Sequence, residues 1–131
     1  MTRLLKCQPT VAEFKGQVVK HSSGRERLVK CGNWRLLAEY AEPENLDTQI
    51  RSILLQTSDD LNMWRSLTQT FRVDMFCGIF LDSSNDGLSL SPQTLLMLGE
   101  RGIDIDFDIY AAGDDDEIFS NMKSDIDRVT E

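Results

Sequence analysis

The sequence predicts an α+β fold: a single mixed or mostly antiparallel sheet with two to four packed helices. Three observations carry that expectation. Apolar side chains alternate with period two in three stretches, and they recur at helical spacing in the segments between these. The chain has 131 residues, 40% of them hydrophobic and 27% charged, enough apolar material for one folded core. No internal repeat or low-complexity linker divides it, so residues 1–131 are read as one domain, with 111–131 as an acidic, partly helical C-terminal extension.

Residues 11–20 and 26–40 read as two strands, and the polar turn His21-Ser22-Ser23-Gly24-Arg25 between them suggests a hairpin. In the second strand Trp34, Leu36, Ala38 and Tyr40 alternate with Arg35, Leu37 and Glu39, which implies one better-buried face. Pro43 then opens a helical region. Leu46, Ile50, Ile53 and Leu54 form one apolar stripe and Leu61, Trp64, Leu67 and Phe71 a second. Ser58-Asp59-Asp60 between them can cap a new helix, so two helices are expected over 44–71.

From Arg72 to Asp82 the period returns to two, with Val73, Met75, Cys77, Ile79 and Leu81 on one face and Phe76 and Phe80 on the other. Both faces are apolar, so a central strand covered on both sides is expected. Ser83 to Gly87 is a loop. Ser91-Pro92 is a helix start, with serine as cap and proline at the first position, and Leu95, Leu96 and Leu98 form its apolar side. Gly102 ends that helix. Ile103 to Tyr110 is a strand with Ile103, Ile105, Phe107 and Ile109 facing one way and Asp104, Asp106, Asp108 and Tyr110 the other. Beyond Gly113, Ile118, Met122, Ile126 and Val129 form a stripe consistent with a helix over 115–129, and Asp114-Asp115-Asp116 would suit its positive end.

The net charge of −8 is unevenly distributed. Residues 1–35 carry eight basic and two acidic side chains; residues 36–103 carry four basic and ten acidic; residues 104–131 carry two basic and ten acidic. One reading is that the basic part neutralises the acidic part within a single fold. Such an acidic chain repels nucleic acid, so no nucleic-acid partner is expected. No apolar run approaches the roughly 20 residues of a membrane span, and the N-terminal residues lack a signal-peptide core. Three cysteines, Cys7, Cys31 and Cys77, contain no C-x-x-C pair and suggest reduced thiols. The expected compartment is the cytoplasm.

Candidate chemistry is sparse. Asp104, Asp106 and Asp108 lie on one strand face, where alternate side chains are about 6.6–6.8 Å apart. One strand therefore cannot converge all three on an ion without help. Ile109 stands where a calcium loop of the EF-hand type needs glycine. A magnesium or nucleotide-sugar site needs only one or two carboxylates, which keeps a metal-dependent enzyme as the alternative to a solvated or cation-paired face. His21 has no cysteine or histidine cluster and no orienting partner in the sequence. Trp34 and Trp64 fall on apolar faces, as core residues do. No catalytic residue, metal site or cofactor is assigned.

The segment Gly87-Leu88-Ser89-Leu90-Ser91-Pro92, the leucines 95–98 and Gly102-Ile103-Asp104-Ile105-Asp106-Phe107-Asp108-Ile109-Tyr110 resemble the bacterial domain-of-unknown-function family numbered 4279. Leu4-Leu5-Lys6-Cys7-Gln8-Pro9-Thr10, Lys15-Gly16 and Trp34 are similar to that family's first half, with Lys6 where glycine is usual. The resemblance implies alternating strands and helices around one sheet, and a strand and helix ahead of Leu4-Leu5 that would leave one sheet position vacant here. Self-association through that edge, or its coverage by the C-terminal extension, is then expected. The resemblance implies no activity and no catalytic residues. The functional expectation is a non-enzymatic binding protein, an immunity protein that neutralises a bacterial toxin domain encoded nearby. Asp114, Asp115, Asp116 and Glu117 are the first candidates for partner contacts and Asp104, Asp106 and Asp108 the second; a structural or regulatory subunit is the further alternative.

Overall fold

The computed structural model describes residues 1–83 and 86–111. In chain order its elements are α1 (Thr2–Leu5), β1 (Val11–Glu13), β2 (Val18–Lys20), β3 (Glu26–Leu28), β4 (Asn33–Arg35), α2 (Leu46–Gln56), α3 (Leu61–Thr70), β5 (Asp74–Phe80), α4 (Pro92–Arg101) and β6 (Asp104–Tyr110). The class is α+β. The strands do not form one sheet: the described ones make three two-stranded ladders, β1 with β4, β2 with β3, and β5 with β6. Among the described residues no helix is long and apolar enough to cross a membrane. The helix expected over 115–129 lies outside the described residues.

The described residues divide into two compact units, one of Met1–Thr2 with Gln8–Leu37, the other within Arg3–Cys7 and Ala38–Gly113. In the first unit the two long strands expected from periodicity are each broken. Gly16, at φ 87°, lets the chain turn after Phe14, and the Gln17 N–H donates to the Phe14 carbonyl at 3.0 Å. The second break lies between Leu28 and Asn33. β1 and β4 then pair antiparallel, Ala12 opposite Trp34, while β2 and β3 form the hairpin, Val19 opposite Arg27. Glu13 ties the two ladders together: its carboxylate accepts from Arg27 Nη2 on β3 and, at 2.7 Å, from Asn33 Nδ2 on β4. The amide of Asn33, then the charges of Arg27 and Arg35, hold the Glu13 carboxyl below the usual glutamate range.

The alternation expected to continue to Tyr40 stops with β4. Tyr40 is 82% exposed, so its ring is not part of a buried face. Pro43 does not open a helix; α2 starts at Leu46, where the Asn45 side chain accepts from the Thr48 N–H at 2.9 Å.

The second unit is built on β5 and β6, which run parallel with Met75 opposite Ile105 and Cys77 opposite Phe107. A parallel pair needs a crossover, and α4 supplies it. Its N-terminus is capped by Ser91 Oγ accepting from the Thr94 N–H at 3.2 Å, and its C-terminus by Gly102 at φ 67°. Ile50 and Leu54 of α2, Leu98 of α4, and Met75 and Cys77 of β5 form the core, with Leu46, Ile53, Ile79, Met97, Ile103 and Ile105 around it. The helical region does divide into α2 and α3. The Asp60 carboxylate caps α3 by accepting from the N–H groups of Asn62 and Met63, and the buried Trp64 indole donates to the Ser58 carbonyl at 2.7 Å.

The buried stripe of α4 differs from the leucine face expected. Thr94, Leu98 and Arg101 are buried, four and three residues apart, whereas Leu95 and Leu96 are exposed. Polar fastening sets this phase. Asp47 of α2 accepts from the Ser91 N–H at 2.7 Å and from Ser91 Oγ at 3.1 Å, which turns the start of α4 toward α2 and carries Thr94 inward. The Ser91 N–H first, then the Thr94 and Ser91 hydroxyls and the Arg51 guanidinium, hold the Asp47 carboxyl below the usual aspartate range.

Two predictions follow from these local geometries. Lys6 has φ 58°, a left-handed conformation that costs any side chain bearing a Cβ. Lys6→Gly should therefore raise stability by up to about 1 kcal/mol, read as an increased urea midpoint at unchanged slope. Because Asp47 titrates low in the fold, its contribution is complete above the ordinary aspartate range and is lost as pH falls through the lowered value. The thermal midpoint of Asp47→Asn should sit below wild type at neutral pH and converge toward it in acid; a constant gap from pH 7 to pH 2.5 would contradict that role.

Candidate functional site

The β5–β6 ladder has one face turned to the helices and one face that none of the described helices covers. Along β5 the residues Asp74, Phe76, Gly78 and Phe80 share the second face, opposite Asp104, Asp106, Asp108 and Tyr110 of β6 in the same order. Four carboxylates and three aromatic rings thus occupy one small surface. The expectation that β5 is covered on both faces is not met: Phe76 is 64% exposed, although Met75 and Cys77 beside it are buried. A parallel ladder is ordinarily covered on both sides, so an open aromatic face is unusual in its own class.

The face is ordered by its own contacts. Phe80 stacks on Tyr110 with centroids 4.6 Å apart and rings 4° from parallel. The Tyr110 hydroxyl donates to Asp108 Oδ2 at 2.7 Å, and Arg72 Nη2 to Asp106 Oδ2 at 3.1 Å. Arg72 and Asp106 are both well exposed, a pair worth little in water and readily exchanged for another partner. Asp74 and Asp104 stand opposite each other in the register. The structure thus places Asp104, Asp106 and Asp108 on one open strand face, as their spacing predicts. Asp114, Asp115, Asp116 and Glu117 lie outside the described residues. Sequence reasoning placed Tyr110 on the aspartate face of its strand but missed Asp74, Phe76 and Phe80 as members of the same surface, because the parallel register that joins them is not legible from strand periodicity.

The other candidates lie away from this face. His21 sits at the start of the turn of the β2–β3 hairpin, where its backbone N–H, not its imidazole, donates to the Arg25 carbonyl at 2.8 Å. Trp34 Nε1 donates to Thr2 Oγ1 at 3.2 Å. Cys77 is buried in the core, and burial pushes its thiol up; Cys7 is half-buried and Cys31 exposed. An open depression of about 550 Å³ lies where the N-termini of α2 and α4 meet. Asp47 stands in it, with its carboxylate engaged by Ser91 and Arg51. Among the described residues no group of three or more histidine, cysteine or acidic side chains is placed to hold a metal ion.

An α+β chain with a β-strand–helix–β-strand unit and an acidic, aromatic sheet face is the class these observations define. The family model described as a domain of unknown function, DUF4279, matches residues 1–112, and the chain belongs to that family. No curated protein and no solved structure matches it.

The row geometry of the carboxylates gives a direct test. Calorimetric titration with magnesium, manganese and calcium should show no saturable binding in the micromolar range, because neighbours along one strand face are about 6.6–6.8 Å apart. Stoichiometric binding abolished by Asp106→Asn would overturn that expectation.

Proposed function

We propose that this chain is a non-enzymatic binding protein that neutralises a basic protein partner, a bacterial toxin domain, by covering it with the open face of β5 and β6. The observation that carries this reading is the conjunction on that face of exposed aspartates with an exposed aromatic ring. Charge and aromatic area serve different parts of binding. Asp74, Asp104, Asp106 and Asp108 raise the local negative potential, which accelerates encounter with a basic surface and penalises acidic ones. Phe76 supplies the rigid apolar area that binding hot spots use, and the Phe80–Tyr110 stack holds the adjoining surface in one shape. Toxins that act on nucleic acid or nucleotides need basic clefts, and a row of carboxylates at strand spacing imitates the charge such clefts accept. Seven further acidic residues between Asp114 and Glu131 extend the same charge along the sequence.

Co-expression with the product of an adjacent gene tests the proposal. The wild-type chain should rescue growth and bind that product with an association rate that falls steeply with salt. Asp106→Asn with Asp108→Asn should slow association about tenfold at low ionic strength, and Phe76→Ala should mainly speed dissociation. Neutralising residues 114–117 in a separate variant separates the C-terminal carboxylates from the sheet face. Failure to bind any neighbouring product rejects the function; rescue unaffected by all three variants rejects the surface.

A further inference from the structure

β6 offers more than a face. In the parallel register Asp104 donates its N–H to the Val73 carbonyl and Tyr110 accepts from the Leu81 N–H, so the peptide groups of the even-numbered residues point at β5. Those of Ile105, Phe107 and Ile109 therefore point away from it. No described strand lies on that side, and among the described residues no hydrogen bond engages those six groups.

The apolar layer also stops short of this edge. On the helix-covered face, Met75 and Cys77 of β5 are 9% and 7% exposed. Phe107, directly opposite Cys77, is 41% exposed, and Ile109 is 60% exposed. A strand laid along the outer side of β6 would cover both with its own apolar side chains while its alternate residues met Asp104, Asp106 and Asp108.

We infer that the outer edge of β6 accepts an extended segment of the partner protein in which arginine or lysine alternates with apolar residues. The inference rests on the binding role proposed above and adds its mode, strand addition. Backbone groups of Ile105, Phe107 and Ile109 supply the hydrogen bonds, and the two faces of β6 set the alternation. A second copy of this chain does not fit that edge. Two copies meeting at this edge pair either antiparallel with like faces aligned, which sets aspartates against aspartates, or parallel with faces reversed, which sets aspartates against Ile105, Phe107 and Ile109. The first places like charges directly opposite and the second places charge against an apolar row.

The test uses the full chain and a fluorescent heptapeptide, Arg-Val-Arg-Val-Arg-Val-Arg, with two backbone-blocked versions, one N-methylated at the valines and one at the arginines. If the segment adds antiparallel, the valine amides face β6; if it adds parallel, the arginine amides do. The unblocked peptide should bind, and just one blocked version should lose at least about tenfold in affinity. Amide exchange of Ile105, Phe107 and Ile109 should slow on binding of the unblocked peptide. Equal binding by all three peptides would overturn strand addition while leaving the acidic face as a docking surface. No binding by the unblocked peptide, or equal loss by both blocked ones, would overturn it too. A concentration-dependent dimer that protects the same three amides would replace the partner with a second copy. Rescue by co-expression is read separately, so strand addition can fail while the neutralising role stands.

Discussion

β5 and β6 run parallel, and much of the second unit follows from that constraint. A parallel neighbour cannot be reached by a tight turn, so the chain must leave Phe80, cross over the sheet and re-enter at Asp104. α4 makes the return, and its ends are fixed by residues with little freedom to change. Ser91 and Pro92 start it; Gly102 at φ 67° stops it, and a Cβ there would stand 3.4 Å from Thr68 Oγ1 of α3. Asp47 then fixes which side of α4 faces inward. With α2 and α4 on one side of the ladder, Met75, Cys77 and Ile105 belong to the core and their neighbours in sequence face outward. The acidic and aromatic surface is thus the complement of the core, produced by the same alternation.

The first unit solves a different problem. Its strands are three residues each, and hairpins of that size are marginal in water without further ties. Glu13 is 10% exposed and joins three strands through one carboxylate. Loss of its side chain would leave Asn33 and Arg27 without their acceptor, and removal of one partner from a tight polar group costs more than the net gain of forming it. Val29 is the apolar counterpart, nearly fully buried beside a hairpin whose Val18 and Leu28 are exposed.

How much of this was legible in the sequence depends on whether the deciding contact was local. Ser91, Pro92 and Gly102 act on the backbone beside them, and the limits of α4 could be read directly. The same holds for Asp60, which starts α3 and separates it from α2. The buried face of α4 was misread because Leu95 and Leu96 are apolar while Thr94 is not; its burial depends on Ser91 and on Asp47, a residue 44 positions away from Ser91. The strands 11–20 and 26–40 read as continuous, although the backbone turns at Gly16 in the first and the pairing changes partner between Leu28 and Asn33 in the second. One sheet was expected because strand period says nothing of which strand pairs with which. For the candidate site, the carboxylates of β6 were visible as a pattern, but Asp74, Phe76 and Phe80 join them only through the register. The positive φ of Lys6 coincides with the position where the family resemblance expects glycine, so a mismatch in pattern marked a real backbone constraint.

The arrangement of the carboxylates bears on what kind of function suits this ladder. Catalysis and metal binding need groups that converge on one point, which folds achieve by bringing loops from several strand ends together. Asp104, Asp106 and Asp108 instead form a line, each about 6.6–6.8 Å from the next, with side chains projecting in one direction. A line matches an extended partner whose own side chains repeat at the same interval, because every contact can then be made at once without distortion of either chain. The strand that holds the aspartates also holds the peptide groups of Ile105, Phe107 and Ile109, which have no partner among the described residues, so charge and backbone recognition would share one register. Shifting a bound segment by one residue would set its apolar side chains against the aspartates and its cations against Phe107 and Ile109. The alternation that divides core from surface in β6 would thereby also select the frame in which a partner strand can be read.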